Sequence, residues 1–128
     1  MKNIQRIIEA RGHKLDGSEP AFHIAIDNPS YMRLVIEGIG CSPDGRQLVS
    51  VAHYYEQNGD LMRDPEMVFL VDLEHAKFKG QDGWFPVSFQ QDGGFALYQE
   101  ALIFDGSRVL KRPKLFKDLK SFARTWNK

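Results

Sequence analysis

The stretch from His53 to Glu66 gathers an imidazole, two phenols and several carboxylates around the dipeptide Asn58-Gly59. Asx-Gly is the commonest chemistry of a two-residue hairpin turn, because both central residues must tolerate positive φ. A turn there sets His53 opposite Asp64 and Val51 opposite Glu66, with Tyr55 and Met62 on the same face. That register would bring His53, Asp64 and Glu66 together. An imidazole and two carboxylates suit acid–base work, or a metal whose ligand atoms converge within about 2.0–2.2 Å of one point. Pro65 weighs against it, since proline cannot donate to a strand ladder and Asp64-Pro65 also reads as the start of a β-turn. A histidine beside acids is equally an ordinary sheet surface. The expectation is therefore no bound metal, no cofactor and no catalytic residue.

Other reactive side chains are isolated. Cys41 lies in GIGCSPDG, a glycine-rich loop with no histidine near it to activate a thiolate, and it reads as a small residue at a strand end. His13, His23 and His75 have no zinc-ligand spacing. Phosphate-binding, dinucleotide-binding, GxSxG and HExxH motifs are lacking from the sequence.

The formal charge of zero conceals an asymmetry. Residues 1–14 carry a net +3, residues 108–128 a net +7, and the middle of the chain a net −10. Lys117, Lys120, Arg124 and Lys128 lie mainly on one side of a C-terminal helical pattern and could meet nucleic-acid phosphates. A solvated helix face looks the same. The acidic middle could instead mimic nucleic-acid charge and enter a basic cleft on another protein, although its acids are dispersed.

The elements that must position these residues follow from periodicity. Ile4, Ile7 and Ile8 mark a helix over about residues 2–11, stopped at Gly12. Phe22, Ile24 and Ile26 alternate as a strand, Asn28-Pro29 breaks it, and YMRLVIEGI makes a second strand. Asp44-Gly45, Asn58-Gly59, Asp82-Gly83, Asp92-Gly93 and Asp105-Gly106 then punctuate QLVSVAHYYEQ, EMVFLVDL, WFPVSFQ, FALYQEALIF and RVLK. Such short connections leave no room for crossover helices. The last helix spans about residues 113–126 with Pro113 in its first turn, and Leu115, Leu119, Phe122 and Trp126 form its apolar stripe. Leu119, Phe122 and Trp126 are expected in the core. The predicted architecture is α+β: one domain over residues 1–128, with an N-terminal helix, a largely antiparallel meander of five to seven strands, and a C-terminal helix packed on the sheet.

From His53 through Met62, and on through Asp64-Pro65-Glu66-Met67, the chain resembles an uncharacterised bacterial family, the domain of unknown function 6908. The similarity continues through Trp84-Phe85-Pro86-Val87, Tyr98-Gln99-Glu100 and Ser121-Phe122-Ala123-Arg124-Thr125-Trp126. No chemistry comes with those motifs. The resemblance implies cargo of plasmids and integrated elements, near antirestriction genes.

These readings converge on the expectation of a small non-enzymatic accessory protein of a mobile element that binds another protein, with a component of host defence as the candidate partner. Tyr54, Tyr55, Glu56 and Asp60 are its candidate contacts, because aromatic side chains are favoured at interfaces. Nucleic-acid binding through the last helix is the alternative, and a weak metal or acid–base site on the 53–66 hairpin the third reading. The longest apolar run, Met67 to Val71, is far short of a membrane span, and the lone cysteine suits the reducing cytoplasm.

Overall fold

The computed structural model describes residues 1–18, 20–27, 33–57, 59–73, 83–92, 97–105 and 108–126. For residues 2, 56, 57, 60, 61, 64, 97, 105, 108–110 and 124–126 the description covers the backbone alone. Asn28-Pro29, His75 and Lys128 lie outside the described residues, as do Asn58, Asp82, Gly93 and Gly106 of the predicted turns.

Helix α1 (Lys2–Ala10) opens the chain. Its end is closed by two reverse bonds, from Gly12 N–H to Glu9 O and from His13 N–H to Ile8 O, a Schellman pattern with Gly12 at φ 81°. Strands β1 (Ala21–Ile26), β2 (Arg33–Cys41), β3 (Gln47–Gln57), β4 (Asp60–Val71), β5 (Trp84–Gln91) and β6 (Leu97–Glu100) form one sheet in sequence order. Every neighbouring pair is antiparallel. Strands β7 (Leu102–Asp105) and β8 (Arg108–Lys111) make a separate hairpin, and helix α2 (Pro113–Trp126) follows. The α+β meander expected from the turn spacing is the observed architecture, and Gly45, Gly59 and Gly83 adopt the positive φ their turns require.

The expected single strand FALYQEALIF is instead two. The break is Ala101, which has no exposed surface. Its N–H donates to Val87 O at 2.7 Å, and its carbonyl accepts from Arg112 N–H at 2.9 Å. Ala101 thus hands the chain from the main sheet to the β7–β8 hairpin, satisfying its backbone on both sides.

Alternation divides the strands into two faces. On one, Ile24, Ile36, Val49, Val51, Met67, Phe69, Val71 and Trp84 enter an apolar cluster with Ile4 and Ile8 of α1. Each such large side chain contributes about 1.5–3 kcal/mol on burial. The Trp84 indole N–H donates to Gln5 Oε1 at 3.2 Å, tying α1 to this face. Gly38 belongs to the same row, where an added Cβ would come within 2.6 Å of the Phe22 ring and 2.8 Å of Pro20 O. Helix α2 feeds the same cluster through Phe116, Leu119 and Ala123. Phe116 stacks on Phe85 at 6.2 Å.

The apolar stripe of α2 is therefore rotated from its expected position. Leu119 is buried, but Phe122 is 39% exposed and meets Phe89 edge-on at 5.5 Å. The side chain of Trp126 lies outside the described residues.

Candidate binding face

The sequence-based hairpin register holds near the turn and fails beyond it. Gln57 pairs with Asp60, Glu56 with Leu61, Tyr55 with Met62 and Tyr54 with Arg63. Past Tyr54 the register shifts, so that Ala52 pairs with Glu66 and Val51 with Met67. His53 thus spans both Asp64 and Pro65, a β-bulge that absorbs the proline without a ladder bond. The expected pairing of Val51 with Glu66 is overturned, and the one-to-one pairing of His53 with Asp64 is lost. The bulge carries Glu66 to the face opposite His53, so the proposed triad of His53, Asp64 and Glu66 does not form. Asp64-Pro65 is part of strand β4 rather than the start of a turn.

On that opposite face Glu66 joins a different group. Ser50, only 4% exposed, donates its hydroxyl to Glu66 Oε2 at 2.7 Å. Arg63 Nε approaches Glu66 Oε1 at 3.5 Å, while its NH1 meets Asp92 Oδ2 at 3.4 Å. Asp92 is set by two bonds, accepting from Arg63 N–H at 3.0 Å and donating its own N–H to Arg63 O at 2.9 Å. Cross-strand pairing aligns Glu37, Ser50, Val68, Ser88 and Glu100 in one row. The next row holds Val35, Ala52, Glu66, Gln90 and Tyr98. Tyr98 is 56% exposed and donates to Glu100 Oε1 at 2.9 Å. At the β1 edge His23 Nδ1 lies 3.8 Å from Glu37 Oε2.

Burial pushes the Tyr54 phenol above its usual pKa, and the Glu66 charge adds to the shift while Arg63 opposes it. Tyr98 is raised by burial first and by its bond to Glu100 second. Both phenols therefore stay protonated at neutral pH and keep an O–H donor. The arrangement offers donors, acceptors and aromatic surface beside carboxylates. Among the described residues no three His, Cys, Asp or Glu side chains are grouped as a metal site.

The remaining predicted residues are dispersed. Tyr54 lies on this face, half-buried, whereas Tyr55 pairs with Met62 on the other face. Glu56 and Asp60 are placed by their backbone pairing alone. On α2, Lys117 is exposed, but Lys120 Nζ sits 5.2 Å over the Phe85 ring, and the Arg124 side chain is outside the described residues. Cys41 is exposed, its thiol 3.9 Å from Gly17 O. Glu37, Ser50, Arg63, Ser88, Tyr98 and Glu100 escaped the sequence reading. Their shared face depends on two bulges, in β4 and β5, and each is marked in the sequence by a proline inside a strand, Pro65 and Pro86.

Fold and face together define an α+β protein with a polar, tyrosine-bearing sheet surface. Its chain belongs to the family described as a domain of unknown function (DUF6908), whose model matches residues 2–128. No curated protein and no solved structure matches it. Among the described residues no helix is long and apolar enough to cross a membrane.

Proposed function

We propose that this chain is a non-catalytic binding protein whose partner is another protein, held on the sheet face that carries Tyr54, Tyr98, Glu37, Glu66 and Glu100. The observation that supports this reading is one sheet face that carries exposed Tyr98 on β6 and half-buried Tyr54 on β3 together with the small, buried Ser50, Ala52 and Ser88. Tyrosines supply large contact area at low entropic cost, and small residues on the same face let a partner approach the backbone. The family resemblance extends the proposal to an accessory protein of a mobile genetic element, acting in the cytoplasm against a component of host defence.

The test is affinity capture from a bacterial lysate, with and without nuclease, using the natural chain and the double variant Tyr54→Ala/Tyr98→Ala. The expected result is a protein retained after nuclease and lost with the variant, whose melting temperature stays near that of the natural chain. Capture abolished by nuclease would transfer the function to the exposed lysines of α2, such as Lys114 and Lys117. Equal capture by the folded double variant would remove this face from the interaction.

A further inference from the structure

The six-stranded sheet has two edges, and they differ. At one, β6 is only four residues long, and a short edge strand offers little backbone to a foreign strand. At the other, β1 has the sequence AFHIAI and, among the described residues, β2 as its one strand neighbour.

The direction of the β1 backbone groups follows from one bond. Gly40 N–H donates to Pro20 O at 2.9 Å, which makes Pro20 and Gly40 a hydrogen-bonded pair. The register continues unbroken from Ala21 opposite Ile39 to Ile26 opposite Leu34. Hydrogen-bonded and non-hydrogen-bonded pairs alternate along an antiparallel ladder. Phe22, Ile24 and Ile26 therefore direct their N–H and C=O groups at β2, while Ala21, His23 and Ala25 turn theirs outward. Asp27 continues the outward set. Ala21, His23 and Asp27 are exposed, and Ala25 is half-buried with only a methyl group to offer. Lysine, proline and bulges, the usual guards of an edge, are missing from β1.

Charge selects what covers this edge. Within the chain, His23 Nδ1 lies 3.8 Å from Glu37 Oε2, and Arg33 Nε lies 3.0 Å from Asp27 Oδ1. Antiparallel pairing with β1 of a second copy, about a two-fold axis at Ala25, sets His23 opposite the second copy's Asp27. One cross-strand row then reads Glu37, His23, Asp27, Arg33, alternating acid and base over four strands, and the two-fold repeats it. Between the two rows Ala25 meets Ala25. An axis at His23 would instead oppose two imidazoles, and an axis at Ile24 would set His23 and Asp27 against alanines.

We propose that this chain forms a two-fold homodimer by antiparallel pairing of β1 with β1 of a second copy, centred on Ala25, so that two sheets become one. Each outward residue that meets an outward residue exchanges two backbone bonds. The axis is perpendicular to the sheet, so both faces bearing Tyr54 and Tyr98 lie on the same side of the dimer. The pairing does not depend on what those faces bind.

Sedimentation velocity of the full chain over a concentration series is expected to show a reversible dimer. Ala25→Pro deletes an outward N–H that has no bond within the chain, a position where an edge strand accepts proline. It should weaken association at least tenfold and leave the circular dichroism spectrum unchanged. Should that variant not fold, the exposed His23 carries the same test: His23→Glu, facing Asp27, should weaken the dimer at least tenfold, and His23→Lys should keep it. In a Cys41→Ser background, Ala25→Cys should give a disulfide-linked dimer on oxidation, because Cα atoms of a hydrogen-bonded pair lie about 5.5 Å apart, within disulfide reach. Ala21→Cys should stay uncross-linked. A monomer at every concentration, a dimer indifferent to His23→Glu, or equal cross-linking at positions 21 and 25 would overturn the proposal.

Discussion

Two adjoining cross-strand rows point to opposite faces of the sheet. Phe22, Gly38, Val49, Phe69 and Pro86 form one, against the apolar cluster. Glu37, Ser50, Val68, Ser88 and Glu100 form the other. The strands and their turns are shared, so backbone pairing is common to both rows and the difference is what each face asks of its side chains. The first row demands volume: it is filled to the point that Gly38 has no room for a methyl group. The second demands hydrogen bonds, since Ser50 and Ser88 are buried among charged neighbours and a hydroxyl left unpaired there would cost stability.

The largest break in this comparison comes from Phe69→Ala. Phe69 has no exposed surface and meets Trp84 edge-on at 5.6 Å. Its loss is expected to cost about 3–5 kcal/mol through transfer and cavity terms, read by urea denaturation. A cost below about 1 kcal/mol would mean that this face does not carry the core.

Ser50→Ala sharpens the other face. The variant removes the hydroxyl that donates to Glu66, and an expected loss of about 1 kcal/mol follows from one hydrogen bond to a partly solvated carboxylate. An unchanged denaturation midpoint would show that the pair adds nothing to stability.

The smallest effect belongs to the turn between β2 and β3, outside both rows. Asp44 accepts from Arg46 Nε at 2.8 Å and also binds the Ser42 hydroxyl. The Arg46 bond, then the Ser42 bond, lowers the Asp44 carboxyl from 3.8 to about 2. A folded-state pKa below the unfolded one means that the stabilisation is present above pH about 4 and lost as pH falls towards 2. Asp44→Asn should therefore lower the melting temperature slightly at pH 7, by an amount that shrinks as pH falls from about 4 through the folded-state pKa. A difference that does not shrink over that fall would assign the effect to packing instead of charge.

Local chemistry made much of the fold legible. Asx-Gly pairs at hairpin spacing, period-two strands and the Ile4–Ile7–Ile8 helix pattern are short-range facts, and the structure follows them. Near the Asn58-Gly59 turn even the pairing partners were readable. The candidate site was not, apart from Tyr54. Each bulge inserts a residue and reverses which side chains share a face beyond it, so errors in register accumulate with distance from the turn. The sequence signals each bulge only through a proline, Pro65 in β4 and Pro86 in β5, and a proline does not fix which residue is the extra one.

By itself the sequence determined the order of helix, meander and helix, the antiparallel connectivity and the turns at Gly45, Gly59 and Gly83, because each depends on φ preference or on spacing between neighbours in the chain. The tertiary structure alone decided that Glu66 would join Ser50 rather than His53, that Phe116 rather than Phe122 would be buried, and that Ala101 would pass the chain between sheets. Those outcomes rest on packing. The register and helix rotation that are realised bury Met67 and Phe116 in one apolar cluster, a contact between distant segments that local periodicity does not specify.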